Sequence, residues 1–173
     1  PHLMFVGPPA TGKTTLAYVL ARELNGEGWE ADFLELNASN DRGIETIRGR
    51  ILTFLRARPW GRFRVLLLDE AEGLTAEAQQ ALRRPLEVAA AGRCRFVFTA
   101  NDAWGFQQFH PALLSRCRTF RFHPLEVEAV VARLRQIAGA EGLPADERVL
   151  RAAAMTATGD MRQAMMRLEA VAA

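Results

Sequence analysis

Residues 7–15, Gly-Pro-Pro-Ala-Thr-Gly-Lys-Thr-Thr, constrain this chain more than any other stretch. Leu3, Met4, Phe5 and Val6 before them read as a buried strand. Leu16, Ala17, Val19, Leu20 and Leu24 after them are spaced as the buried face of a helix. A strand, a loop between two glycines, then Lys-Thr opening a helix is the arrangement that cradles phosphate. The loop Gly7, Pro8, Pro9, Ala10, Thr11 and Gly12 can turn backbone N–H groups inward, and the helix start through Thr15 adds partial positive charge. In that setting Lys13 neutralises the β- and γ-phosphates and the Thr14 hydroxyl holds Mg²⁺.

Composition sharpens this reading at one residue. Of the 22 basic side chains Lys13 is the only lysine; the rest are arginines. Codon bias toward Arg explains the many but not the exception. A compact ammonium fits inside a phosphate loop where a planar guanidinium does not.

The 173 residues allow one domain, or one with a small appendage, and 49% are hydrophobic, which excludes wholesale disorder. No apolar run approaches the roughly 20 residues of a membrane span. The opening apolar run leads straight into the loop, so no signal peptide is expected. Cys94 and Cys117 are too few for a disulfide framework or a metal site and are expected as buried free thiols. A cytoplasmic location follows, nuclear in a eukaryote. Between residues 42 and 64 stand seven arginines against the single acid Glu45. Such a stretch fits a polyanion partner or a solvated helix face.

Along the chain, helices are expected at 12–24, from about 42 to Pro59, and at 75–88, the last kinked or ended near Arg84 by Pro85. Strands are expected at 31–36, 63–68, 95–100 and 119–122. The third strand runs into Asp69 and Glu70. Ligands bind at that end of a parallel sheet. An Asp there suits Mg²⁺ and a Glu suits activation of an attacking water, although two acids could instead cap the next helix. Residues 125–138, 145–156 and 160–171 read as three helices, with Asp160 capping the last, so domains of 1–123 and 124–173 are expected.

Residues 7–15, 34–44 (LELNASNDRGI), 66–72 (LLLDEAE), 81–87 (ALRRPLE), 115–117 (SRC) and 159–162 (GDMR) together resemble clamp-loader small subunits of the replication factor C type. The resemblance runs over essentially the whole chain. It implies an α/β AAA+ P-loop NTPase fold: a five-stranded parallel sheet of order 5-1-4-3-2, then a small three-helix lid. It also implies ATP and Mg²⁺ as cofactors and ATP-driven loading of a sliding clamp at primer–template junctions. The implied partners are the clamp, the other subunits of a pentameric hetero-oligomer, and DNA held without sequence preference; no membrane is implied.

Residue by residue, the resemblance makes Asp69 the metal ligand, Glu70 the catalytic base and Asn101 the sensor of the attacking water. Arg116 becomes an arginine finger acting in trans, and Arg162 a phosphate contact from the lid. Asn37 becomes a switch holding Glu70 away from water, unless it only satisfies turn backbone. DNA contacts fall on Arg42, Gly43 and Ile44, with Arg48, Arg83 and Arg84 as further candidates.

The chain departs from the family at several points. Ala10 stands where Gly is usual, which is tolerable unless φ is positive. Glu72 replaces an Asp, and Pro85 replaces a Thr. The stretch 101–115 is about three residues longer by eye, and its Trp104, Phe106 and Phe109 could form a contact surface. The family's adenine-side N-terminal segment and its collar domain are not matched, so a fragment or a truncated relative is expected. The competing readings are another AAA+ DNA-processing motor and a non-hydrolysing scaffold subunit. The presence of Lys13, Thr14, Asp69, Glu70, Asn101, Arg116 and Arg162 together favours hydrolysis.

Overall fold

A computed structural model describes residues 1–39, 44–101, 109–144 and 146–172, without the side chains of 44–48 and 172. Its first compact unit comprises Pro1–Gly7 and Gly12–Arg121, and its second Pro8–Thr11 and Phe122–Ala173.

The first unit is built on five parallel strands: β1 (His2–Val6), β2 (Phe33–Asn37), β3 (Arg64–Asp69), β4 (Cys94–Ala100) and β5 (Cys117–Arg121). Their order is β2-β3-β4-β1-β5, which is the expected 5-1-4-3-2 read from the other edge. Strands β1, β3 and β4 are apolar along nearly their whole length because both faces are covered. On one face Met4, Val6, Leu36, Leu66, Leu68, Phe96, Phe98 and Ala100 pack with Ile51, Leu82, Leu86 and Leu113. Helix α1 (Lys13–Asn25) packs on β3 and β4.

The buried face of α1 differs from the expected one. Lys13, Ala17 and Ala21, one turn apart, are buried, whereas Leu16, Val19 and Leu24 are exposed. Small side chains at i and i+4 allow the helix a close approach to the sheet. Helix α2 spans Ile44–Arg56. The helix expected at 75–88 is two: α3 (Ala76–Ala81), capped by Thr75 through the Ala78 N–H, and α4 (Arg83–Ala91). Pro85 has no N–H to offer the Ala81 carbonyl, and its ring crowds that carbonyl. The chain therefore breaks at Leu82, slightly earlier than expected. A short helix, α5 (Pro111–Leu114), precedes β5.

Three further expectations are corrected here. Arg64, counted in the basic stretch, is buried; it donates to the carbonyls of Phe54 and Arg58 and lies 3.5 Å from Asp32. It ties down the turn into β3 and adds nothing to a polyanion surface. Phe109 is a core residue rather than a contact surface; Trp104 and Phe106 lie outside the described residues. Cys94 is buried but Cys117 is half-buried. Burial pushes both thiols up to about 12, so both stay protonated.

In the second unit α6 (Val127–Glu141), α7 (Glu147–Thr156) and α8 (Met161–Ala172) bury Val130, Val131, Leu134, Leu150, Ala154, Ala164 and Leu168 against one another. Helix α6 runs through Gly139, which was expected to break it, and ends at Gly142 in the left-handed region. The Asp160 carboxylate accepts from the Gln163 N–H, the expected cap. A Cβ at Gly159 would lie 2.6 Å from the Pro124 Cβ and 2.7 Å from the Leu125 nitrogen, so only glycine fits before α8.

Candidate nucleotide site

The helix α1 begins after Gly12, whose φ of 96° lies in the left-handed region. Gly12 has no side chain to cap it, and its first turn carries no acid. Such a helix start presents backbone N–H groups and partial positive charge, which suits an anion. Lys13, the first helical residue, is only 5% exposed. Its ammonium donates to the Gly7 carbonyl at 2.9 Å. Desolvation lowers the Lys13 pKa, against the opposing pull of Glu72 and then Asp69. A buried ammonium beside an uncapped helix start fits a phosphate group. In the second unit the Thr11 hydroxyl donates to the Pro8 carbonyl at 2.9 Å, and the Met161 N–H donates to the Ala10 carbonyl at 3.3 Å. Ala10 stands at φ 54°, the condition under which its Cβ is unfavourable.

The carboxyl end of β3 meets this helix start. The Thr14 hydroxyl donates to Asp69 Oδ1 at 2.9 Å. Two hard oxygen donors in contact fit Mg²⁺, which takes few protein ligands and completes its shell with water and phosphate. Among the described residues no group of three or more His, Cys, Asp or Glu forms a denser metal site.

Glu70 adopts the left-handed region at φ 53° and ψ 44°. Its N–H donates to the Thr99 hydroxyl at 3.2 Å, and that hydroxyl in turn donates to Asp69 Oδ1. Two residues on, Glu72 Oε1 accepts from the Asn101 N–H at 3.1 Å, and its Oε2 is buried without a hydrogen-bond partner among the described residues. Sequence reasoning leaves out Thr99 and treats Glu72 only as a departure from the resembled family, without a role at the site. The available signals were a hydroxyl inside the otherwise apolar run 96–100 and a Glu where the resembled family has Asp.

Gly7, Lys13, Thr14, Asp69, Glu70 and Asn101 thus gather at the carboxyl ends of β1, β3 and β4. Asn37 lies opposite Asp69 in the β2–β3 register. Its Oδ1 accepts from the Ser39 N–H at 2.9 Å, a turn-type bond. The Arg116 guanidinium donates to Glu87 Oε1 at 2.6 Å and to the Ala112 carbonyl at 2.8 Å. Arg83 and Arg84 are exposed at the start of α4, and Arg162 is exposed on α8 of the second unit. Arg42 and Gly43 lie outside the described residues. Ile44 opens α2 and Arg48 lies within it, but their side chains are likewise outside the description.

Residues 3–125 match the family model described as ATPase family associated with various cellular activities (AAA). This chain belongs to the AAA family of ATPases. Its sheet order and phosphate loop are those of that nucleotide-binding fold. It is 48% identical over 99% of its length to "Replication factor C small subunit 2" of Pyrobaculum aerophilum, covering 53% of that protein. It is 44% identical over 99% of its length to "Replication factor C small subunit" of Methanoculleus marisnigri, again covering 53% of it. The chain thus spans about half the length of these curated relatives. Among solved structures the Thermotoga maritima RuvB variant T158V superposes with a TM-score of 0.77 at 19% identity, covering 97% of this chain and 53% of the other. That likeness speaks to the fold alone. Among the described residues no helix is long and apolar enough to cross a membrane.

Proposed function

We propose that this AAA chain is the ATP-binding and ATP-hydrolysing module of a clamp loader of the replication factor C type, which opens a ring-shaped sliding clamp and places it at primer–template junctions. The observation that carries the hydrolytic part is the convergence of Lys13, Thr14, Asp69 and Glu70 at the carboxyl end of the sheet, where Thr14 bonds Asp69 and the Thr99 hydroxyl joins Asp69 to the Glu70 N–H. The 48% identity to a replication factor C small subunit supports the clamp-loader part.

In this reading residues 7–15 hold the phosphates of ATP, with Lys13 on the β- and γ-groups. Thr14 and Asp69 would hold Mg²⁺, which would supply Lewis-acid neutralisation of phosphate charge there. Glu70 takes a proton from the water that attacks the γ-phosphorus, and Asn101 orients that water; ADP and inorganic phosphate leave. Arg162 contacts the phosphates from the lid. Arg116 leaves Glu87 to complete charge stabilisation at a neighbour's site, a contribution of about 10³–10⁵ in rate in related NTPases. Arg42, Gly43 and Ile44, with Arg48, Arg83 and Arg84, follow a DNA backbone without reading sequence. Asn37 at the end of β2 links that turn to Glu70. Its turn-type bond to Ser39 uses the amide oxygen, whereas the switch requires the amide nitrogen as donor.

The deciding experiment measures ATP affinity and Mg²⁺-dependent turnover with and without primed DNA and a clamp, for the native chain and Lys13→Ala. The expected result is loss of ATP binding in a variant that keeps its circular dichroism spectrum. Unchanged affinity in a folded Lys13→Ala variant removes the phosphate-loop assignment. Turnover indifferent to both DNA and clamp removes the clamp-loader assignment and leaves another AAA motor.

A further inference from the structure

We infer that Thr99 is a positioning residue for ATP hydrolysis, its hydroxyl setting the backbone of the base Glu70 and the carboxylate of Asp69 together. This rests on the reading of the site as an ATPase.

Strand β4 alternates. Phe96, Phe98 and Ala100 enter the apolar core with Leu66 and Leu68, while Val97 and Thr99 fall outside that cluster on the opposite face. Thr99 is 2% exposed. A buried hydroxyl must find partners, and a threonine in a strand often bonds its own surroundings only. Here the partners are the two residues on which the chemistry depends. The Glu70 N–H donates to the Thr99 oxygen, and the Thr99 hydroxyl donates to Asp69 Oδ1, the same oxygen that accepts from Thr14.

The geometry of Glu70 makes this bond matter. A glutamate at φ 53° occupies a backbone region that an L-residue leaves when nothing holds it there. The N–H bond to Thr99 restrains the Glu70 peptide on the sheet side. The hydroxyl bond to Asp69 keeps that carboxylate turned toward Thr14 rather than free to change rotamer. A second tie, from the Asn101 N–H to Glu72, fastens the end of β4 to the same turn. One hydroxyl therefore ties the metal-side carboxylate to the backbone that carries the base. Displacement of a reacting group by about 1 Å costs on the order of 10²-fold in rate.

Thr99→Val removes the hydroxyl at nearly constant volume, and Thr99→Ser keeps it. The full chain is tested in two ways. Amide exchange at Glu70 is read by NMR on the ¹⁵N-labelled chain without nucleotide. Single-turnover hydrolysis is read with chain in excess over ATP, beside the nucleotide Kd. In T99V, exchange at Glu70 rises at least about tenfold, hydrolysis slows about 10- to 100-fold, and the nucleotide Kd stays within about threefold. In T99S all three stay within about threefold of the native chain. T99A takes the same measurements if the valine variant does not fold. Native-like hydrolysis in T99V, a nucleotide Kd that worsens as much as the rate, or a T99S variant as slow as T99V would each overturn the inference. A native chain that binds no ATP would instead remove the proposed function, and this role with it.

Discussion

Ala10 is held at φ 54°, where a Cβ crowds the backbone. Replacing it with glycine removes about 1–2 kcal/mol of strain and returns part of that as unfolded-chain entropy. Ala10→Gly should therefore stabilise the chain by about 0.5–1 kcal/mol, read as a higher denaturant midpoint at constant m-value. His2 makes a different residue-scale prediction. It is 1% exposed; its Nδ1 accepts from the Phe96 N–H at 3.1 Å and its Nε2–H donates to the Leu86 carbonyl at 2.9 Å. The bond from Phe96 needs a bare Nδ1 and hence the neutral ring, whereas the Leu86 carbonyl accepts from either form and favours the charged one. Desolvation, aided by the positive charge of Arg95, lowers its pKa below the usual 6.5. The unfolded chain therefore takes up the proton first. This contribution to stability is complete above pH 6.5 and is lost as pH falls below it toward the lowered folded value. Urea titrations between pH 7.5 and 5 should show that loss, and His2→Leu should flatten the slope while costing about 1–3 kcal/mol for the two orphaned backbone groups.

At the scale of elements, the turn into β3 is the best test of what holds the sheet. Asn25, the last residue of α1, accepts from the Arg62 and Phe63 N–H groups at 3.0 and 2.9 Å and donates to the Phe63 carbonyl at 2.7 Å. Three backbone groups depend on one amide, so Asn25→Ala should lower stability by about 2–3 kcal/mol, whereas Asn25→Asp, which keeps the acceptor, should cost less. In the sequence Asn25 is only the residue that follows the helix expected at 12–24. Local signals of that kind are legible: the phosphate loop, the apolar strands and the Asp160 cap; the sheet order is carried by the family resemblance. The tertiary duties of polar side chains are not legible. Nothing local distinguishes Arg64, which fastens a buried turn, from Arg62 beside it in water. Nothing in residues 94–100 says that the Thr99 hydroxyl would meet Asp69 rather than solvent. The buried stripe of α1 is carried by alanines and not by the larger apolar residues, because close approach to the sheet selects small side chains. Pro85 reads as a break, but the break falls at Leu82, next to the Ala81 carbonyl that Pro85 cannot serve.

For the molecule as a whole, Arg116 is the side chain whose role depends on a neighbour. Its pair with Glu87 is solvent-exposed and is worth under about 1 kcal/mol, so it is readily exchanged for a phosphate. Arg116→Ala should leave ATP affinity unchanged and the melting temperature within about 2 °C. It should also fail to stimulate hydrolysis at an adjoining native subunit, whereas a Lys13→Ala partner, which keeps its Arg116, should restore turnover at the Arg116→Ala chain's own site. Loss of ATP affinity by the isolated Arg116→Ala chain would contradict a role in trans. Binding to primed DNA should weaken steeply with salt and change little with sequence.

A single, buried lysine also makes the chain a reporter of its own loop. A lysine-specific endoprotease has one bond to cut, that between Lys13 and Thr14, and it can reach it only when the start of α1 unwinds. The cleavage rate under native conditions then counts openings of that turn. Two fragments on a gel, 13 and 160 residues long, would read out in one lane how far an occupant holds the turn shut.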